Sequence, residues 1–195
     1  SEALYRRAMT MYRALYGEKH PSLAQGLNNL GLLFRAQGKL DEAAVSYREA
    51  LAMNIALFGE VHPEVARVEG NLAFISYEAG NLPEAIALNR EALAIQQQVL
   101  GSEHPEVAAT MSTLGRWLSE SGDAAAAEPL LRGSLERYGS LLPADHPDVA
   151  VAQLGLAKFL SAQGEYAEAL PLIQAAAATL AGAYGEDHWI CAHAN

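Results

Sequence analysis

A 42-residue period runs through the whole chain and constrains its fold more than any other feature. Histidine followed by proline recurs at that spacing, and a further histidine, His188, keeps the spacing but is followed by Trp189. The four dipeptides are His20-Pro21, His62-Pro63, His104-Pro105 and His146-Pro147. Such a period indicates an array of similar structural units. Four full repeats span residues 20–61, 62–103, 104–145 and 146–187, while residues 1–19 match the second half of a repeat and residues 188–195 match the start of one.

Each repeat carries apolar residues at helical spacing on both sides of a central glycine. In repeat one these are Leu23, Leu27, Leu30 and Phe34 before Gly38, and Ala43, Tyr47, Ala50 and Leu51 after it. The pattern predicts two helices per repeat and no strand. Glycine closes helices in the left-handed conformation, so we expect breaks near Gly17, Gly38, Gly59, Gly80, Gly101, Gly122, Gly164 and Gly185. Repeat three has Pro143 at one of these positions, so its closing turn must differ.

Several residues in register resemble a known repeat family. The spacing of Leu30, Gly31, Phe34, Gly38, Ala43, Tyr47 and Ala50 is similar to that of the tetratricopeptide repeat. The 42-residue period and the sequence Leu-Asn-Asn-Leu at 27–30 resemble its kinesin-light-chain subtype. The resemblance implies an all-α fold, a right-handed α-solenoid of stacked antiparallel helix pairs forming one array over residues 1–195. We expect Leu30 and Leu72 to be buried between paired helices. Repeat two departs from the family pattern at Ser76 and Asn89.

The evenly spaced histidines raise the question of a metal or catalytic site, because histidine is a common metal ligand and acid–base group. Stacked repeats hold equivalent residues roughly 10 Å apart, the distance between packed helix axes. The ligands of one metal lie about 2 Å from a shared ion. The spacing therefore favours a role at the start of each first helix or in packing between repeats. No nucleophile elbow or phosphate-binding glycine loop is present, so we expect no metal, no cofactor and no catalytic residue.

We expect the functional site of this chain to be an extended surface that binds a partner. In the family that the chain resembles, the first helices of the pairs line a concave groove that binds partners. The resemblance implies a peptide-binding groove formed by Gln25, Asn28, Asn29, Leu32, Arg35, Arg67, Asn71, Phe74, Tyr77, Arg116 and Lys158. Side-chain amides carry a donor and an acceptor and can pair with a peptide backbone. Because the asparagines lie in repeats one and two, we expect those repeats to hold the peptide.

The charge of this predicted groove is opposite to that of the chain. The sequence has 13 basic and 23 acidic residues, a formal net charge of −10, which disfavours nucleic acid and anionic membranes as partners. In the groove, Arg35, Arg67, Arg116 and Lys158 outnumber Glu78 and Glu120. The inversion predicts a partner peptide that is extended and acidic. Solvated surface charges without a binding role are the alternative interpretation.

The sequence therefore predicts a protein–protein interaction scaffold. The alternative is a sensor or regulatory repeat region of a larger signalling enzyme, such as a kinase, a protease or an NTPase, whose catalytic domain lies outside these residues. The single cysteine, Cys191, fits a reducing compartment, and no apolar run reaches the roughly 18 residues of a membrane span. We therefore expect a cytoplasmic protein.

The incomplete repeats at 1–19 and 188–195 predict an additional interaction. Repeat arrays need polar capping surfaces at their ends to remain soluble, and neither partial repeat carries one. We expect copies of the chain to stack end to end, with Leu4, Met11 and Leu15 as contact residues at the first end.

Overall fold

The computed structural model describes residues 7, 10–15, 17 and 19–184. The chain divides into two compact units, Ser1–Leu100 (unit 1) and Gly101–Asn195 (unit 2). Unit 1 contains helices α1 (Pro21–Ala36), α2 (Leu40–Phe58), α3 (Pro63–Glu78) and α4 (Leu82–Leu100), and residues 10–15 are also helical. Unit 2 contains α5 (Pro105–Glu120), α6 (Ala124–Leu141), α7 (Pro147–Ala162) and α8 (Tyr166–Tyr184). The described residues contain no strand, and each full repeat has two helices, as predicted.

The first helix of every repeat begins at a capping histidine. The four capping residues have extended backbones, and proline follows at the first helical position. The Nδ1 atoms of His20, His62, His104 and His146 accept hydrogen bonds from the backbone N–H groups two residues on, at 3.1 Å in repeat one and 3.2 Å in the others. Because these N–H groups have no partner within the helix, the imidazole satisfies a donor that would otherwise need water. The predicted role at the helix start is confirmed.

Glycines end the helices at the predicted places. Gly38 and Gly59 have φ angles of 73° and 84°, in the left-handed region that strains residues with a Cβ atom. The other described breaks have φ between 80° and 88° at Gly17, Gly80, Gly101, Gly122 and Gly164, and Gly185 lies outside the described residues. Repeat three closes differently, as Pro143 predicted. There α6 ends at Leu141, and its extended C-cap Leu142 has φ −125° and ψ 154°.

Paired helices approach closely where a small residue faces a large one. A Cβ atom on Gly31 of α1 would lie only 2.7 Å from the Tyr47 ring of α2, so glycine is required there for the ring to fit. At the same register in repeat two, Ala73 replaces the glycine and Asn89 replaces the tyrosine, and both are buried. The larger residue on α3 therefore offsets part of the volume lost on α4.

One apolar cluster joins repeat one to repeat two. Leu30 and Leu72 belong to it and are 6% and 3% exposed, so their predicted burial is confirmed. The cluster comprises Leu23, Leu27, Leu30, Phe34, Ala43, Ala44, Tyr47, Ala50, Val68, Leu72 and Ile75. Because its members lie on α1, α2 and α3, the burial of apolar surface fixes the first helix of repeat two against the preceding helix pair.

Ion pairs at a common register join the second helices of neighbouring repeats within each unit. Arg48 of α2 pairs with Glu84 of α4 at 3.7 Å, and Arg132 of α6 pairs with Glu168 of α8 at 2.5 Å. The Arg132 Nε atom also donates to Glu128 at 2.8 Å. Hydrogen bonding to Arg132 lowers the pKa of Glu168. Both residues of each pair lie on second helices, so these ion pairs do not involve the first helices.

Candidate functional site

The first helices of repeats one and two, α1 and α3, present a shared polar surface in unit 1. Three side-chain contacts join the two helices, from Arg67 to Gln25, from Asn71 to Asn28 and from Arg35 to Glu78. We define the α1/α3 face by its exposed or half-buried residues: Gln25, Asn29, Leu32, Arg35, Arg67, Asn71, Phe74, Tyr77 and Glu78. The structure thus brings together the groove residues predicted in repeats one and two, with Asn28 placed differently.

Asn28 lies beneath this face and not on it. It is only 1% exposed, and its Oδ1 atom accepts a hydrogen bond from Asn71 Nδ2 at 2.8 Å. The prediction that Asn28 faces a bound peptide is therefore corrected, because its side chain points inward and orients Asn71. The neighbouring residue Asn29 is half-buried, and its Oδ1 atom accepts from Gln25 Nε2 at 2.9 Å.

These bonds leave one donor group and one acceptor available on neighbouring helices. Among the described residues, the Asn29 Nδ2 group and the Asn71 Oδ1 atom make no hydrogen bond within the protein. An amide can use both its N–H groups and its oxygen, so each of these asparagines retains capacity for a further partner. Their other hydrogen bonds hold the two side chains in place before any partner arrives.

Arg35 is held between Glu78 and Phe74. Its Nε atom donates to both carboxylate oxygens of Glu78, at 2.9 and 3.1 Å, and its Nη2 atom donates to Oε1 at 2.6 Å. The guanidinium carbon lies 5.2 Å from the centroid of the Phe74 ring, within the range of a cation–π contact. Hydrogen bonding to Glu78 raises the pKa of Arg35. The side chain is therefore a fixed cation whose charge is compensated by the neighbouring repeat.

Arg67 is compensated in a similar way. It forms an ion pair with Glu64, one turn earlier on α3, and its Nη2 atom donates to Gln25 Oε1 at 3.2 Å. Glu64 was not among the predicted groove residues, and the helix dipole alone favours a carboxylate at its position in the first turn. With Glu64 included, the two arginines meet two carboxylates. The predicted excess of positive charge is therefore wrong for repeats one and two.

The remaining predicted cations lie in unit 2, on α5 and α7. A Cβ atom on Gly155 would lie 3.6 Å from Arg116 Cδ, so the aliphatic part of Arg116 packs across α7 at the position that aligns with Asn71. Lys158 is exposed on α7, one turn beyond Gly155. Within the part of the chain that the structure describes, neither cation forms an ion pair. Arg116 and Lys158 are therefore not neutralised by an ion pair as Arg35 and Arg67 are, and an excess of positive charge on α5 and α7 stays a prediction.

A buried carboxylate on α3 was not identified from the sequence. Glu69 is 6% exposed, and its Oε2 atom accepts no hydrogen bond from any described residue. Burial, with a smaller contribution from Glu91, raises the pKa of Glu69 to about 7. The aligned residues of the other repeats are Leu27, Met111 and Gln153. The signal for Glu69 in the sequence was that it is the one acidic residue among these four aligned positions.

A metal site was a further possibility raised by the histidines. The described residues include no group of three or more histidine, cysteine, aspartate or glutamate side chains that could hold a metal ion. No helix among them is long and apolar enough to cross a membrane. His188 and Cys191 lie outside the described residues. The capping histidines, the only ones that the structure describes, each bond to their own helix.

Comparisons with known proteins agree with this geometry. Two family models, both for the tetratricopeptide repeat, match the chain, one at residues 1–56 and 64–140 and the other at residues 149–190. No curated protein matches it. A crystal structure of BtubC (BKLC) from P. vanneervenii is similar with a TM-score of 0.84 at 24% identity, covering 94% of this chain and 73% of that one. At that identity the similarity shows the fold.

Two further structures come from a candidate kinesin light chain of Podosopora anserina with nearly identical TPR-like repeats, one of them a point variant. Their TM-scores are 0.77 and 0.79, each at 25% identity. The matches cover 94% and 93% of this chain and 87% and 86% of those chains. All three similar structures are solenoids of helix pairs, so the predicted fold class is confirmed.

Proposed function

We propose that this chain, which belongs to the tetratricopeptide repeat family, binds an extended segment of a partner protein along the α1/α3 face. Arrays of this family generally serve as protein–protein interaction scaffolds, and their extended surfaces are the usual binding sites. The face joins two consecutive repeats, so a bound segment contacts both repeats at once.

The observation that carries the proposal is the pair of amides at Asn29 and Asn71. Asn29 offers a donor and Asn71 offers an acceptor, from neighbouring helices. The main chain of an extended peptide exposes N–H and C=O groups, which pair with groups of this kind. Each side chain is already fixed by a bond to Gln25 or Asn28, so binding immobilises fewer free rotamers. The amides therefore recognise a backbone, whatever the sequence of the partner.

Apolar and aromatic side chains on the same face supply a second type of contact. Leu32 on α1 and Tyr77 on α3 are exposed, and Phe74 is half-buried beneath Arg35. Removing exposed apolar surface from water on binding stabilises the complex by roughly 25 cal/mol per Å². A partner with an apolar side chain between its polar contacts fits this arrangement better than a uniformly charged one.

The preference for an acidic partner rests on unit 2. In unit 1, a carboxylate of the partner must displace Glu78 or Glu64 to reach an arginine. Arg116 and Lys158 form no ion pair among the described residues, so they attract a carboxylate without such competition. We therefore expect acidic residues of a partner to contact α5 and α7 of unit 2.

A peptide-display selection against the 195-residue chain tests the proposal. The affinity of a selected peptide is then measured by fluorescence anisotropy for the wild type and for the double variant Asn29→Ala/Asn71→Ala. We expect roughly tenfold weaker binding, because two hydrogen bonds of about 0.5 to 1.5 kcal/mol each are removed. The control is Gln97→Ala/Gln98→Ala, which removes two exposed amides from α4. Equal losses in both double variants would refute the proposed face.

A further inference from the structure

Glu69 occupies a position that is otherwise neutral in every repeat. The aligned residues Leu27, Met111 and Gln153 carry no charge. A protonated glutamic acid has nearly the shape of glutamine and fits such a position, whereas a carboxylate brings a full charge into it. Desolvating a charge without a partner is far more costly than desolvating a neutral polar group.

No cation among the described residues of unit 1 compensates Glu69. The arginines of the elements packed around α3 are engaged elsewhere, Arg35 by Glu78, Arg67 by Glu64 and Arg48 by Glu84. Arg90 on α4 is exposed and forms no ion pair with it. The charged group that acts on Glu69 is another acid, Glu91 of α4. Ionisation of Glu69 is therefore opposed by burial and by repulsion from the helix with which α3 is paired.

We propose that Glu69 makes the packing of α3 against α4 responsive to pH, the helix pair being tight when the carboxyl group is protonated and loosened when it is ionised. This inference stands on the geometry of Glu69 and does not depend on the proposed peptide binding. Glu69 lies two residues from both Arg67 and Asn71 on α3, which places it on the opposite side of the helix from them. Loosening at Glu69 therefore moves the helix that carries half of the α1/α3 face.

The sign of the effect follows from the direction of the pKa shift. The folded state favours the protonated form, with a pKa raised from 4.5 to about 7. The stabilisation is therefore fully present below pH 4.5, decreases as the pH rises toward 7 and is absent above it. Acidification tightens α3 against α4, which is opposite to the usual destabilisation of proteins in acid.

Hydrogen exchange measured at pH 5 and pH 8 tests the proposal, with the Glu69→Gln variant as reference. The glutamine cannot ionise, so dividing by its protection factors removes the pH dependence of the other groups. Between pH 5 and pH 8, we expect the protection of α3 and α4 amides in the wild type to fall on the order of 50-fold more than in the variant. The helices of unit 2 serve as an internal control and should show equal changes in both proteins.

Two further measurements keep the proposal testable if Glu69→Gln does not fold. A carbon-13 NMR titration of the wild-type Glu69 carboxyl group should have a midpoint near 7. Glu91→Gln alters an exposed residue and should move that midpoint to lower pH, because it removes the neighbouring negative charge. A midpoint at the ordinary value of a glutamate, or equal protection changes in wild type and Glu69→Gln, would overturn the proposal.

Discussion

Arg35 of α1 donates three hydrogen bonds to Glu78 of α3, so the cation that we expected to face a partner instead joins two repeats. The two residues lie 43 positions apart in the sequence and meet because their helices lie side by side. The arginine therefore contributes to the shape of the α1/α3 face more than to its charge.

A double-mutant cycle measures this contact. We expect the coupling free energy between Arg35→Ala and Glu78→Ala to be up to about 1 kcal/mol, the upper end for a partly exposed ion pair, because the geometry is bidentate. It should decrease in high salt. Urea denaturation of the wild type, both single variants and the double variant provides the values. A coupling of zero at low salt would show that the contact does not stabilise the fold.

Truncation of leucines should distinguish buried from exposed positions on the first helices of the repeats. Leu30→Ala and Leu72→Ala are each expected to lower the free energy of unfolding by about 2 to 5 kcal/mol, because each leaves a cavity in the core. Leu32→Ala is the matched control, since Leu32 lies on the same helix but is 43% exposed. Its effect should stay within about 0.5 kcal/mol. Similar losses at Leu30 and Leu32 would contradict the helix register.

A glycine inside α6 offers a stabilising substitution. Gly139 is exposed and helical, and a Cβ atom there would have no neighbour within 4 Å. Gly139→Ala should therefore raise the free energy of unfolding by about 1 kcal/mol. At Gly133 in the same helix, a Cβ atom would lie 2.8 Å from Met111 Cε. Gly133→Ala should therefore raise the free energy of unfolding by less than Gly139→Ala does. Thermal denaturation compares the two variants, and a larger gain at Gly133 would contradict the packing.

End-to-end association of copies stays a prediction. Met11 and Leu15 are 57% and 69% exposed, while Leu4 lies outside the described residues. Light scattering should show an average mass that rises with concentration for the wild type. Met11→Glu/Leu15→Glu should suppress the rise, and Leu32→Glu, which alters an exposed leucine on another surface, should leave it unchanged. A monomer mass at all concentrations would refute the prediction.

The repeat pattern made most of the fold predictable. Local sequence determines the helix breaks near glycine, the two helices per repeat and the apolar pattern that places Leu30 in the core. The same pattern occurs in four repeats, which makes it easy to recognise. The resemblance to the tetratricopeptide repeat is confirmed by the family matches. Capping by the imidazole Nδ1 atom was harder to predict from the sequence, because the residues usually found at a helix N-cap are serine, threonine, asparagine and aspartate.

The site was less predictable because it depends on neighbours that are distant in sequence or on small rotations. Asn28 and Asn29 are adjacent, yet one step along a helix turns the side chain by about 100°, which separates the core from the face. The compensation of Arg35 requires Glu78 from the next repeat. Glu69 was missed because a single acid in a helix is ordinarily exposed, and only the packing of α3 shows its burial.

The central claim is that the amides of Asn29 and Asn71 contact the main chain of a bound segment. The most direct measurement is the proton–nitrogen NMR spectrum of the asparagine side chains, recorded while a peptide from the display selection is added. The account predicts that the side-chain signals of Asn29 and Asn71 shift with the peptide concentration, while those of Asn54 and Asn89, buried on α2 and α4, remain in place. Unchanged Asn29 and Asn71 signals at peptide saturation would contradict it.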